Sequence, residues 1–296
     1  MPLVPLDKAD LVFVMPVGPR ANLEYVLDTV DSIRHNMKAV GLLLGVEEGA
    51  DELRAKLEAG APDATVTFVK LPKPPGKGGY NTKGKLFLKT ARLLREAVQR
   101  SPAKAVIKID DDAIMLRPGL EEDIERLLKS NPRCGGFGTV RHGFRGPVRK
   151  TPLRRALFES TVMWFKDPAV ARTIAPLVFG SMLRGKRPSL NLAGMCSGYT
   201  RQCIERMDAL GLFDRDELIR SLSQEDRLLS SAAMRLGYDL CDFPVEGNPF
   251  GFHWKHLPAS PEVLWESGVK VVHSVHDQEC GTEAEIREYF RRQVGR

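Results

Sequence analysis

Val106-Ile107-Lys108-Ile109-Asp110-Asp111-Asp112 sets a β-branched apolar run directly against three carboxylates. Ala105 to Ile109 reads as a buried strand, and the acids stand at its carboxyl end. Alternation along a strand puts Asp110 and Asp112 on the same side. Two hard oxygen ligands on one side suit Mg²⁺ or Mn²⁺, and such an ion in turn holds a diphosphate. Three adjacent like charges repel, so the cluster needs a cation or basic partners. The plainer alternative is an acidic turn that caps the helix after Pro118. An N-cap, however, needs one Asp and not three.

Strands and helices alternate on both sides of this stretch. Leu11 to Met15 reads as a buried strand ended by Pro16 and Gly18, Val40 to Val46 as a second and Thr65 to Val69 as a third. Helices are expected over Leu23 to Met37, Asp51 to Leu57, Leu86 to Val98 and Leu120 to Leu128. This order predicts an α/β fold, a Rossmann-like and mostly parallel sheet with helices on both faces. Ligands in such sheets bind beyond the carboxyl ends of the strands. Further along, Gly135 to Val140, Thr161 to Phe165 and Val269 to Val275 read as strands. Glu225 to Leu236 reads as a helix closed by Gly237, and Glu283 to Arg292 as a charged terminal helix. Pro72 to Gly79, PKPPGKGG, reads as a mobile loop inside a domain.

Of the 296 residues, 43% are hydrophobic and 28% charged, the balance of an ordinary globular chain. No apolar run approaches the roughly 18 residues of a transmembrane helix, and none is expected. MPLVPLDKAD has no apolar core of the secretory type. Cys134, Cys196, Cys203, Cys241 and Cys280 are scattered and form no CxxC pair, which points to reduced thiols and a cytoplasmic protein rather than a zinc site. The net charge of +6 favours anionic partners: nucleotide phosphates, nucleic acid or an acidic membrane face. Arg141, Arg145, Arg149, Lys150, Arg154 and Arg155 concentrate that charge, either as a solvated loop or as an anion contact.

The triplet resembles the DxD motif of glycosyltransferases with the A-type fold, including family 2-like transferases. Leu88-Lys89-Thr90 resembles the LKT helix of the β-1,3-galactosyltransferase and Fringe-like families, where that helix precedes a strand ending in DDD. Cys196-Ser197-Gly198-Tyr199 resembles their CSG-type segment beside the sugar, and Glu225-Asp226 resembles their ED motif. The resemblance spans roughly Asp10 to His276 as widely spaced short motifs in the same order. It implies one glycosyltransferase domain over residues 1–296. The nucleotide-sugar half would cover about 1–130 and the acceptor half about 131–296.

The same resemblance implies roles. Asp112 would bind the metal, and Asp110 would touch the metal, its water or the donor ribose, with Asp111 beside them at the donor. Asp226 would be the general base of an inverting transfer. Glu225 would hydrogen-bond the acceptor or cap its helix, because consecutive helical residues diverge by about 100°. His273, favoured over His276, would be a third ligand, and imidazole suits Mn²⁺ better than Mg²⁺. Pro16, Val17 and Arg20 would meet the nucleotide, joined by Lys85 and Lys89 from one helix face. The substrates would be a nucleoside-diphosphate sugar and a glycan, lipid-linked or small-molecule acceptor. Peripheral membrane contact fits the basic balance, and no nucleic-acid partner is expected.

Three other classes remain in view. Gly79 to Lys85 fits GxxxxGK, as in P-loop kinases and NTPases, but Leu86 stands where the Mg²⁺-binding hydroxyl belongs. A nucleotidyltransferase would carry a Gly-rich basic signature after the first strand, of which GPRANLE is a poor version. A non-enzymatic nucleic-acid binder fits the charge but not the acidic triplet.

Overall fold

A computed structural model describes residues 3–61, 65–71, 83–144, 146–147, 153–253, 256–275 and 281–295, the side chains of residues 83 and 154–156 excepted. The first half comprises β1 (Leu11–Val17), α1 (Leu23–Asn36), β2 (Val40–Glu47), α2 (Asp51–Gly60), β3 (Val66–Leu71), α3 (Lys83–Arg100), β4 (Ala105–Ile109), β5 (Ala113–Met115) and α4 (Leu120–Ser130). Then come β6 (Cys134–Gly138), β7 (His142–Gly143), β8 (Gly146–Pro147), α5 (Leu153–Thr161), α6 (Met163–Lys166), α7 (Pro168–Leu183), β9 (Cys196–Thr200) and α8 (Arg201–Ala209). The chain continues through α9 (Glu225–Arg235), β10 (Asp239–Asp242), β11 (Phe250–Gly251), α10 (Pro261–Glu266), β12 (Val271–His273) and α11 (Glu283–Val294).

Alternation on β1 and β4 gives the central sheet two apolar faces. Val12, Val14 and Val106 face a core shared with Leu88, Leu93 and Leu94 of α3 and Leu228 of α9. Phe13, Met15, Ile107 and Ile109 face the opposite core, with Val26 and Val30 of α1 and Ile124 of α4. The sheet has seven strands in the order β10-β6-β9-β4-β1-β2-β3. The pairs β1–β2, β1–β4, β2–β3 and β6–β10 are parallel, while β9 is antiparallel to β4 and β6. The expected α/β architecture, mostly parallel with helices on both faces, is therefore present. A three-stranded sheet, β11-β12-β5, stands at the end of β4.

Some boundaries differ from the sequence reading. β1 does not stop before Pro16: Pro16 and Val17 pair with Gly45 and Val46 of β2. The β4 pairing ends at Val14, so β1 has a partner on one side only at Pro16, and there a missing N–H is tolerated. Thr161 to Phe165 is not a strand but the junction of α5 and α6. Val162 N–H bonds Phe158 O and Trp164 Nε1–H bonds Ser160 O, so local helical bonds satisfy the backbone and indole. Periodicity alone does not separate a short apolar strand from a helical turn.

Late in the chain, β12 covers only Val271–His273, because Ser274 takes a left-handed φ of +66°. Gly237 closes α9 as expected, at φ +93°, and Tyr238 N–H bonds Ala233 O in a Schellman cap. Among the described residues, no helix is long and apolar enough to cross a membrane.

Candidate metal centre and its carboxylate neighbours

β4 carries Lys108 on the same face as Val106, and strand alternation continues that face to Asp110. The ammonium is 2.5 Å from Asp110 Oδ1 and 3.5 Å from Glu225 Oε1, and donates to Gly194 O at 2.5 Å. Its side chain is 1% exposed. Burial opposes the charge, but the fields of Asp110 and Glu225 and the bond to Asp110 outweigh it, so the Lys108 pKa lies above the ordinary range. The basic partner that the triplet needs is thus built into the same strand.

Two strand pairings complete the cluster. β5 runs antiparallel to β12 with Ala113 opposite His273. That register brings His273 Nε2 to 3.0 Å from Asp112 Oδ1 and 3.3 Å from Asp110 Oδ2. One ligand atom each from Asp110, Asp112 and His273 lies within 4.8 Å of the others, which fits one small cation. The left-handed backbone of Ser274 directly follows His273, an outlier of the kind found at functional sites. Burial works against a charged His273, yet Asp112 and Asp110 dominate and push its pKa up to about 9. Oxygen donors with one imidazole suit Mn²⁺ over Mg²⁺.

β9 lies antiparallel to β4 with Cys196 opposite Ile109 and Ser197 opposite Lys108. Its entry, Gly194 to Met195, therefore runs beside the acids, and Asp110 N–H bonds Met195 O at 3.1 Å. Gly198 is fixed by packing, since a Cβ there would come 2.0 Å from the Phe137 ring.

Asp111 lies with Asp112 in the turn between β4 and β5, which the Ala113 N–H closes on Asp110 O at 3.3 Å. Burial, then the charges of Asp112 and Asp110, push its carboxyl up to about 7. Its carbonyl accepts from Thr29 Oγ1 at 3.0 Å and from the Arg287 guanidinium at 3.4 Å. Arg287 is fully buried and pairs with Asp28 and Glu283. α1 and α11 thus hold the middle of the triplet by its backbone. None of the three acids caps α4, whose N-cap is Gly119.

Glu225 and Asp226 open α9 and diverge as expected. Glu225 turns toward Lys108 and is 3% exposed, and burial pushes its carboxyl up to about 7. Asp226 turns toward Gly194. Its Oδ2 accepts from Asn191 Nδ2 at 2.7 Å and its Oδ1 from Arg227 N–H at 2.7 Å. Burial raises the Asp226 pKa, against those two donors and the Arg227 charge.

The remaining sequence-derived positions spread around the same end of the sheet. Pro16 and Val17 are buried at the carboxyl end of β1, and Arg20 is exposed in the turn after it. Lys89 is buried and ion-pairs with Glu47 at the end of β2. Burial pushes the Lys89 pKa down, and the nearby Lys85, also buried, adds to that. Arg141 is exposed, and its N–H, with that of Val140, bonds the Asp242 carboxylate. Arg145, Arg149, Lys150, His276 and the stretch from Gly79 to Thr82 lie outside the described residues. Lys108, Arg287, Thr29 and Asn191 were not singled out from sequence. Only Lys108 carried a signal, as a lone charge inside a buried strand.

No protein-family model matches the chain, and no curated protein matches it in sequence.

Proposed function

We propose that this chain is a metal-dependent glycosyltransferase that moves a sugar from a nucleoside-diphosphate donor to an acceptor hydroxyl. The observation that carries the reading is the convergence of Asp110, Asp112 and His273 at the end of β4. The reading has support from the fold. The chain leaves β1 in one direction and returns to β4 through α3 on the other side, a switch point where open α/β sheets bind ligands.

Asp110, Asp112 and His273 would hold the ion, with Mn²⁺ favoured. When bound, it supplies Lewis-acid neutralisation of a leaving diphosphate. The chain's own groups do the rest. Lys108 pairs with Asp110 and holds it beside the cluster. Pro16, Val17 and Arg20 line the neighbouring strand end, where a nucleotide would lie. Asp226 would take the acceptor proton, aimed by Asn191 and the Arg227 N–H. Its burial raises its basicity in the direction that base catalysis at neutral pH requires. Glu225, held by Lys108, would position rather than react. The A-type fold, the inverting course and the motif roles rest on the resemblance of DDD, LKT, CSG and ED segments together with this clustering.

The test is direct. Incubation with a panel of nucleoside-diphosphate sugars and Mn²⁺ should release the nucleoside diphosphate from one donor in preference to others, and chelation should stop the release. Turnover that ignores chelation would reject the assignment; so would formation of a nucleoside triphosphate and a sugar 1-phosphate when pyrophosphate is added, which would favour a nucleotidyltransferase.

A further inference from the structure

Eight of the twelve exposed large hydrophobic side chains among the described residues lie between Leu153 and Leu183, on α5, α6 and α7. The most prominent are Phe158, Trp164, Phe165, Phe179, Met182 and Leu183. Phe165 is 92% and Leu183 89% exposed, so each stands almost wholly clear of the described residues. Phe179, Met182 and Leu183 recur at the spacing of one helix face. α7 holds a single charge, Arg172, in 16 residues. A helix this apolar on its outer stripe is abnormal for a surface that meets only water.

Within the segment itself the exposed charges have one sign, although Glu217 of the neighbouring 216–220 turn accepts from Thr173 of α7 at 2.6 Å. Lys166, Arg172, Arg184 and Arg187 are exposed on or just after the three helices. The two acids of the same segment are engaged elsewhere. Asp167 pairs with Arg220. Glu159 is buried and accepts from the Ser221 hydroxyl at 2.8 Å and from the Ser223 hydroxyl. Apolar and aromatic side chains that protrude, ringed by cations, match the boundary of an anionic bilayer. Protruding side chains need no shaped pocket in a fluid acyl layer, whereas a protein partner would have to supply one.

We propose that α5, α6 and α7 form a membrane-docking face for bilayers containing anionic lipid. The face is tied to the candidate site at both ends. Glu159 clamps Ser221 to Ser223, the segment that leads into Glu225 and Asp226. Past the end of α7, Asn191 bonds Asp226. Docking would thus set the Asp226 side of the site next to the bilayer. The docking face stands on exposure and charge alone, independent of sugar transfer.

The experiment is co-sedimentation of the full chain, free of nucleotide, with phosphatidylcholine vesicles made with and without phosphatidylglycerol. The wild type should pellet with the anionic vesicles and release at high salt. Phe165→Ser combined with Leu183→Ser should weaken binding by about tenfold or more, with an unchanged melting temperature, because both side chains are exposed. Lys166→Glu with Arg172→Glu should abolish the preference for anionic vesicles. A wild type that stays in the supernatant, or a double Ser variant that binds as the wild type does, overturns the proposal. So does a dimer in vesicle-free buffer that the Ser substitutions dissolve, since it assigns the face to a second copy. Metal and nucleotide binding, measured without vesicles, is unaffected by either result.

Discussion

His273 Nε2 stands 3.0 Å from Asp112 Oδ1, although Asp112 lies in the turn before β5 and His273 ends β12, far along the chain. The antiparallel pairing of β5 with β12 makes the contact, and the two Asp charges keep the imidazole protonated up to about pH 9. A metal ion must displace that proton. Apparent Mn²⁺ affinity should therefore rise with pH, by about tenfold per unit between pH 7 and 9 for one displaced proton. In the metal-free protein the sign is opposite. The raised His273 pKa stabilises fully below pH 6.5, and that contribution fades as pH climbs toward 9. Calorimetric Mn²⁺ titrations at several pH values check the first effect, and metal-free denaturation at the same values checks the second. A flat Mn²⁺ affinity would remove His273 from the ligand set.

Lys108 is a buried cation between Asp110 and Glu225. Lys108→Met keeps the length of the side chain but leaves two carboxylates facing each other. Breaking a buried pair in this way costs about 3–5 kcal/mol. Urea unfolding at pH 7 should show that loss, and it should shrink at lower pH, where Glu225 protonates. A variant as stable as the wild type would mean that Lys108 is solvated.

Asp226→Asn should lower sugar transfer by about 10²–10⁴-fold, the range that general base catalysis supplies. Donor and metal binding should survive, because Asp226 bonds Asn191 and the Arg227 N–H rather than the metal cluster. In the wild type, transfer should fall as pH drops through an Asp226 pKa held above the ordinary carboxylate range. Rates with a fixed donor across pH test this. A product that keeps the donor's anomeric configuration, read by NMR, would instead leave Asp226 to orient the acceptor.

Most of the parallel half of the sheet was legible because β1, β2 and β4 are buried on both faces and read as near-continuous apolar runs, Ala105–Ile109 down to the residue, while the edge strand β3, with Lys70 exposed, read by alternation. The metal cluster was legible in part. Asp110 and Asp112 do share the cluster, but a turn at Asp111 and Asp112 brings them together rather than the strand alternation expected, and position at the end of an apolar run singled out His273. Its balance of charge was not. Arg287 sits 259 residues from the Asp28 that it binds, and nothing in the spacing of a charged terminal helix marks one arginine as buried. Thr161 to Phe165 misled for a physical reason. β-branched and aromatic residues suggest a strand, but here they serve as exposed apolar positions on helices, where tertiary context overrides propensity.

The proposed function requires that Asp110, Asp112 and His273 bind a metal that carries a nucleoside diphosphate. Thermal denaturation with nucleoside diphosphates, with and without Mn²⁺, measures this most directly, since a ligand of the native state raises the melting temperature by mass action. At least one nucleoside diphosphate should stabilise the wild type only when Mn²⁺ is present, and Asp112→Asn should lose that shift while melting normally without ligand. An Asp112→Asn variant that responds as the wild type does, or a wild type that responds to no nucleoside diphosphate with Mn²⁺, would contradict the account.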